Sequence, residues 1–191
     1  MSKSGTLFVL SGPSGVGKGT LCEEILKDKG ILKLSVSISA TTRKPRSIDK
    51  EGVTYYFKSR EEFESMIQDG AFLEWATYND NYYGTPLAPV QETLKQGINV
   101  MLEIDVQGAL QVKENFPSSI CIFVAPPDME TLRTRLQGRA TETEEEITKR
   151  VDAAQWEMQQ QDKYDYVIVN QDLDDAVKEV KDIIRLRSVV L

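Results

Sequence analysis

The sequence contains no histidine. That absence removes Ser-His-Asp and Cys-His nucleophilic catalysis, along with the usual histidine-bearing zinc hydrolase sites. Any chemistry must run without an imidazole base. Cysteine is nearly as scarce: Cys22 and Cys121 are the only two, too few for a disulfide framework or a cysteine-only zinc site. Both stand in apolar-patterned segments and read as buried free thiols. With no signal-peptide core at the N-terminus, that pattern favours a cytoplasmic protein. No apolar stretch approaches the roughly 18 residues of a membrane span, so a membrane partner is not expected. A basic excess is missing too. Lys and Arg number 23 against 30 Asp and Glu, leaving a net charge of −7, which argues against a nucleic-acid partner. Internal repeats, low-complexity tracts and long linkers are likewise absent.

What is present is alternation. A chain of 191 residues suits one compact domain with a sizeable core and small mobile subdomains. Apolar or β-branched runs at 6–10, 34–38, 53–57, 72–78, 98–104, 119–124 and 166–169 read as strands, with helical patterns between them. Leu21, Ile25 and Leu26 share one face of a helix over 18–29. Ser59 with Glu62 forms a capping-box signature ahead of Phe63, Met66 and Ile67, and Gly70 stops that helix; Thr143 and Glu146 repeat the signature. Leu173, Ala176, Val177, Val180 and Ile184 keep the helical rhythm near the C-terminus. The pattern predicts an α/β layer fold with a largely parallel sheet flanked by helices. Two regions depart from it. Residues 35–87, rich in Ser, Thr and Tyr, read as an inserted β-rich subdomain, and the polar stretch 138–146, "GRATETEEE", reads as a mobile flap.

The run "TLFVL" at 6–10 breaks into "SGPSGVGKGT" at 11–20. Gly12, Gly15 and Gly17, with Pro13, Ser14 and Val16 between them, form a tight loop whose N–H groups turn inward around phosphate oxygens. Lys18 supplies a point charge for β- and γ-phosphates, and the following helix presents its N-terminus. The position after the lysine is Gly19, where a Mg²⁺-ligating hydroxyl would be expected, and the hydroxyl follows at Thr20. A turn of about 100° separates consecutive helical residues, so Thr20 is not a simple geometric substitute. Metal binding would then lean on phosphates, water and a nearby acid. The tail "EIDVQG" offers Glu103 and Asp105, which an extended strand would place on one face to hold Mg²⁺ directly or through water.

"SISATTRKPR", "GVTYYF", "FLEWATYNDNYYGTP", "LEIDVQGA", "FVAPP" and "LQGRATETEEEI", in that order and following the "GKGT" loop, closely resemble guanylate kinase. The resemblance implies a P-loop α/β core (1–34, 88–127 and 155–191), a GMP-binding subdomain (35–87) and a lid (128–154). It also implies transfer of the γ-phosphate of ATP to GMP or dGMP with Mg²⁺. It places Arg43, Arg46, Tyr55 and Tyr83 on the GMP phosphate, and Glu74, Ser39 and Thr85 on the guanine. Glu103 makes a further acidic contact to the nucleotide, and Asn170 lies near the adenine. Arg135, Arg139 and Arg150 become lid arginines that meet the transferring phosphoryl group, whereas Arg133 reads as a solvated helix face.

The residues make chemical sense of this. Paired guanidiniums with tyrosine hydroxyls suit a dianionic phosphate. One carboxylate can accept both the N1–H and N2–H of guanine, whereas adenine presents a donor and an acceptor there. The attacking group is an ionised phosphate oxygen, so the missing histidine costs nothing. Two other readings stay open: a related P-loop kinase for another phosphorylated small molecule, and a scaffold module that binds phosphorylated peptides at the old nucleotide site. The intact guanine set speaks against the first, and Lys18 with its glycines against the second.

Overall fold

The computed structural model describes residues 4–78, 80–137 and 144–189. Strand β1 (Leu7–Ser11) is buried at every position, as an unbroken apolar run requires when both faces of a strand are covered. Helices α1 (Lys18–Leu26) and α2 (Lys29–Leu32) follow, then β2 (Leu34–Val36), the short β3 (Ala40–Thr41) and β4 (Tyr56–Phe57), and α3 (Arg60–Gln68). Next come β5 (Phe72–Tyr78), β6 (Asn81–Pro86), α4 (Leu87–Lys95), β7 (Asn99–Glu103), α5 (Val106–Asn115) and β8 (Ile120–Ala125). The chain ends with α6 (Met129–Gln137), α7 (Glu144–Met158), β9 (Tyr166–Val169) and α8 (Leu173–Val189).

Two sheets result. The larger has the order β2-β7-β1-β8-β9, and every pairing in it is parallel. Alternate residues of β1 feed two cores. Phe8 and Leu10 pack with Leu21 and Ile25 of α1, Leu132 and Leu136 of α6, and Val180 and Ile184 of α8. Leu7 and Val9 pack with Val90 and Leu94 of α4 and Val106, Ala109 and Val112 of α5. The smaller sheet, β4-β3-β6-β5, is mixed. Its own core is Ala40, Phe63 and Phe72, with Tyr82 alongside; the Phe63 ring stacks on Phe72 at 4.4 Å and on Tyr82 at 5.2 Å. Ser59 caps α3 with the predicted box, and Gly70 leaves the helix at φ 63. Cys22 and Cys121 are buried free thiols. Among the described residues no helix is long and apolar enough to cross a membrane.

Several expectations are corrected. Of the run at 53–57 only Tyr56 and Phe57 are strand, Val53 and Thr54 being turn and Tyr55 an isolated bridge to Glu51. The helix expected over 18–29 stops at Leu26, and Lys29–Leu32 forms a separate turn of helix. Residues 81–86, not expected as a strand, form β6, pairing along the whole of β5. The boundary placed at residue 35 falls inside the main sheet, where Ser35 and Val36 pair with Val100 and Met101. Of the second capping pair, Thr143 with Glu146, Thr143 lies outside the described residues.

Candidate active site

All five strands of the large sheet run the same way, so the turns leaving β1, β7 and β9 open on one edge. Ligand sites of open parallel sheets gather there. The loop after β1 is built from residues with unusual backbones: Gly12, Gly15 and Gly17 have φ 147, 86 and 97. Gly17 shows why glycine is needed. It is the left-handed N-cap residue of α1, and a Cβ there would lie 2.7 Å from Nδ2 of Asn170. Lys18 Nζ donates to the carbonyls of Gly12 (2.6 Å) and Pro13 (3.0 Å), which holds its ammonium over the loop.

Residues from three later elements secure this loop. Asn170, just past β9, is buried and donates from Nδ2 to the Val16 carbonyl at 2.9 Å. Arg135 of α6 donates to that same carbonyl (3.3 Å) and to the Asn170 carbonyl (3.0 Å). Arg150 of α7 donates to Ser14 Oγ at 2.5 Å. Arg135 and Asn170 are therefore fastened to the frame of the cradle, in addition to any part they take with a ligand. Arg133 is exposed on α6, as its reading as a solvated face has it, and pairs there with the exposed Glu144. Arg139 lies outside the described residues. Glu157 was missed in the sequence. It stands two helical turns beyond Arg150 on the same face of α7, where burial pushes its carboxyl up and the Lys18 charge opposes that shift.

Strand β7 ends at Glu103, but the backbone is still extended at Asp105; the two acids nevertheless take different partners. Glu103 stays with the cradle. A Cβ on Gly19 would lie 3.5 Å from its Oε1, and burial raises its pKa while Lys18 pulls the other way. Asp105 becomes the N-cap of α5, its Oδ1 accepting from the Gly108 N–H at 2.7 Å. Its charge is felt both by Glu74 and by Glu157, which in turn feels Lys18. Thr20 is exposed in the first turn of α1. Among the described residues no group of three or more acids, cysteines or histidines is placed to hold a metal. A nucleotide-borne Mg²⁺ does not need one, since it keeps several waters and takes only one or two carboxylates besides phosphate oxygens.

The small sheet carries the second half. Glu74 is only 6% exposed and accepts from Thr85 Oγ1 at 2.6 Å. Burial pushes its carboxyl up to about 7, against the pull of the Thr85 hydroxyl. Arg43 is fixed by Asp49 Oδ2 at 3.0 Å and lies over the Tyr55 ring at 5.4 Å. Tyr83 meets Tyr55 edge-on at 6.2 Å. Asp49, also unforeseen, accepts from the Arg46 N–H at 2.7 Å. That bond and the Arg43 guanidinium hold it below the usual carboxylate range. The Arg46 side chain is exposed, and Ser39 is half-buried just before β3.

A glycine loop on a parallel sheet, with a separate sheet bearing a buried acid and a propped guanidinium, is the layout of a P-loop kinase. A family model described as guanylate kinase matches residues 4–187. The chain is 52% identical over 184 residues to the guanylate kinase of Caldanaerobacter subterraneus, covering 96% of this chain and 88% of that one. It is 52% identical over 182 residues to that of Clostridioides difficile, covering 95% and 88%. The crystal structure of guanylate kinase from Anaplasma phagocytophilum superposes with a TM-score of 0.75 at 34% identity, over 99% of this chain and 89% of that one. The chain belongs to the guanylate kinase family.

Proposed function

We propose that the protein transfers the γ-phosphoryl group of ATP to GMP, and also to dGMP, giving ADP and GDP or dGDP. The observation that carries the acceptor is Glu74, a buried carboxylate held by Thr85 in the sheet that also holds Arg43, Tyr55 and Tyr83. Two adjacent N–H donors on guanine satisfy both oxygens of such a group. A base without that pair leaves a buried acceptor unpaired, which sites of this kind punish by up to about 10⁴-fold. Arg43, with Arg46 nearby in the chain, takes the acceptor phosphate, while the loop at 12–19 and Lys18 take the donor phosphates. None of these contacts uses the ribose 2′-hydroxyl, so the deoxynucleotide is accepted.

A GMP phosphate oxygen attacks the γ-phosphorus as the bond to the β–γ bridging oxygen breaks, and ADP leaves with that electron pair. No proton has to be removed, so a histidine-free chain is sufficient. Catalysis is orientation and neutralisation by Lys18 and the arginines of α6 and α7. Mg²⁺ suits the donor set as a phosphate-bound ion that Thr20 and Asp105, with Glu103, would hold directly or through water, and it would supply further positive charge. A coupled assay with ATP and each nucleoside monophosphate tests the reading. GMP and dGMP turn over, whereas AMP, CMP and UMP are poor. Glu74→Gln lowers kcat/KM for GMP by roughly 2–4 kcal/mol with little change in the KM for ATP. Equal use of AMP and GMP by the wild type would overturn the acceptor assignment.

A further inference from the structure

Selecting guanine through Glu74 requires its carboxylate to stand in one place, and the residues that hold it there come from the other layer of the molecule. Pairing between β5 and β6 shifts register between Phe72 and Glu74. Phe72, Leu73 and Glu74 are buried in succession, Phe72 against the core of the small sheet and Leu73 against that of the large one. A bulge of this kind re-aims a side chain, and an irregular strand needs outside support to keep its setting.

Helix α5 provides that support residue by residue. Gln111 pairs with the Trp75 backbone as a neighbouring strand would: its Oε1 accepts from the Trp75 N–H at 3.2 Å and its Nε2 donates to the Trp75 carbonyl at 3.0 Å. Asn115 Nδ2 donates to the Leu73 carbonyl at 2.9 Å. One turn before Gln111, Gly108 lies under the Glu74 side chain, where a Cβ would come 2.9 Å from Oε2 and 3.4 Å from Asp105 Oδ1. Glycine weakens a helix, and its place as the third residue of α5 is explained by the carboxylate it admits. Residues 108, 111 and 115 share one helix face, so Leu73, Glu74 and Trp75 each meet their own α5 partner.

We propose that Gly108, Gln111 and Asn115 are positioning residues for base selection: without touching the nucleotide, they set the Glu74 carboxylate so that both of its oxygens face the two guanine donors. This rests on Glu74 being the guanine acceptor. Inosine monophosphate separates the two ideas, because hypoxanthine keeps the N1–H but lacks the 2-amino group. A carboxylate that slides or turns loses the amine first.

The test compares GMP with inosine monophosphate in Gln111→Leu, which keeps bulk but removes both bonds, and in Gly108→Ala, which crowds the carboxylate. In each, kcat/KM for GMP falls about tenfold, as a displacement of a fraction of an ångström can produce, and the preference for GMP over inosine monophosphate shrinks by a similar factor. The KM for ATP moves by no more than about twofold, because the loop at 12–19 is not part of the clamp. If Gln111→Leu does not fold, Gly108→Ala and Asn115→Leu are measured in its place. A parallel fall for both acceptors, or an unchanged preference, overturns the proposal. Glu74→Gln in the same assay separates the two failures. If it too leaves the preference intact, Glu74 is not the guanine acceptor; if it abolishes the preference while the α5 variants keep it, only the clamp is wrong.

Discussion

Lys18 and Glu74 mark the two halves of the site, and each gives a measurable expectation. Lys18 reaches two loop carbonyls but takes no part in either core, so Lys18→Met should fold normally. Its kcat should fall about a hundredfold or more, roughly 3 kcal/mol of transition-state stabilisation; full activity in the purified variant would remove the loop from the mechanism. Glu74 gives a pH signature. Its carboxyl moves from an ordinary 4.5 to about 7 on burial. Below pH 4.5 it is protonated in folded and unfolded chains alike and adds no slope. As pH rises from 4.5 to about 7 the unfolded chain gives up its proton while the fold retains it. Stability therefore falls across that window, by something on the order of 3 kcal/mol. Denaturant titrations at pH 5 and pH 8 should show the loss in wild type and a smaller one in Glu74→Gln. Guanine needs the ionised form, so kcat/KM for GMP climbs as pH passes through about 7 and then levels, and the Gln variant lacks that limb.

Helix α3 tests local structure without touching chemistry. Ser59→Ala removes the capping-box hydroxyl, at a cost of about 1 kcal/mol, or a Tm about 2–4 °C lower for a chain of this size; an unchanged melting curve would mean the cap contributes nothing. That helix was legible because its cap, apolar face and terminating glycine all agree. So was the glycine loop, whose spacing is itself the structure. Strand β6 was not, because Asn81, Gly84 and Pro86 carry poor strand propensity and its pairing with β5 decides the matter. Asp105 keeps the extended backbone that its spacing from Glu103 assumed, but its part as the cap of α5 was not read from the sequence. Glu157, Gln111 and Asn115 left no motif at all, since each acts on an element distant in sequence, and Asp49, close to the arginines it holds, stood in a turn with no pattern to mark it. The scaffold was readable from local pattern, whereas the residues that hold the site in register were not.

At the scale of the molecule, the small sheet is tied to the core at one corner, where α5 grips β5. The Arg43 end of that sheet, on β3 and β4, carries no comparable clamp among the contacts described. Closure over two substrates, needed to keep water from the phosphoryl group, should therefore pivot about α5. With a bisubstrate analogue joining ATP and GMP, amide exchange should slow in residues 40–57 and in α7 while 73–75, already gripped, changes little. Uniform slowing, or none, would argue against a pivot there. The order of the large sheet bears on synthesis as well as on catalysis. Strand β1 leads the chain, yet its partners are β7 and β8, with Leu7 opposite Val100 and Phe8 opposite Ile120. At translation rates of about 5–20 residues per second, the first of those partners follows β1 by roughly 4–18 seconds. Throughout that interval the strand that delivers the phosphate loop has neither of its sheet neighbours. The small sheet, whose strands all fall between 40 and 86, has meanwhile been synthesised in full and is free to form first. Newly made protein is thus most open to mispairing and to chaperone capture at the segment on which its later activity depends.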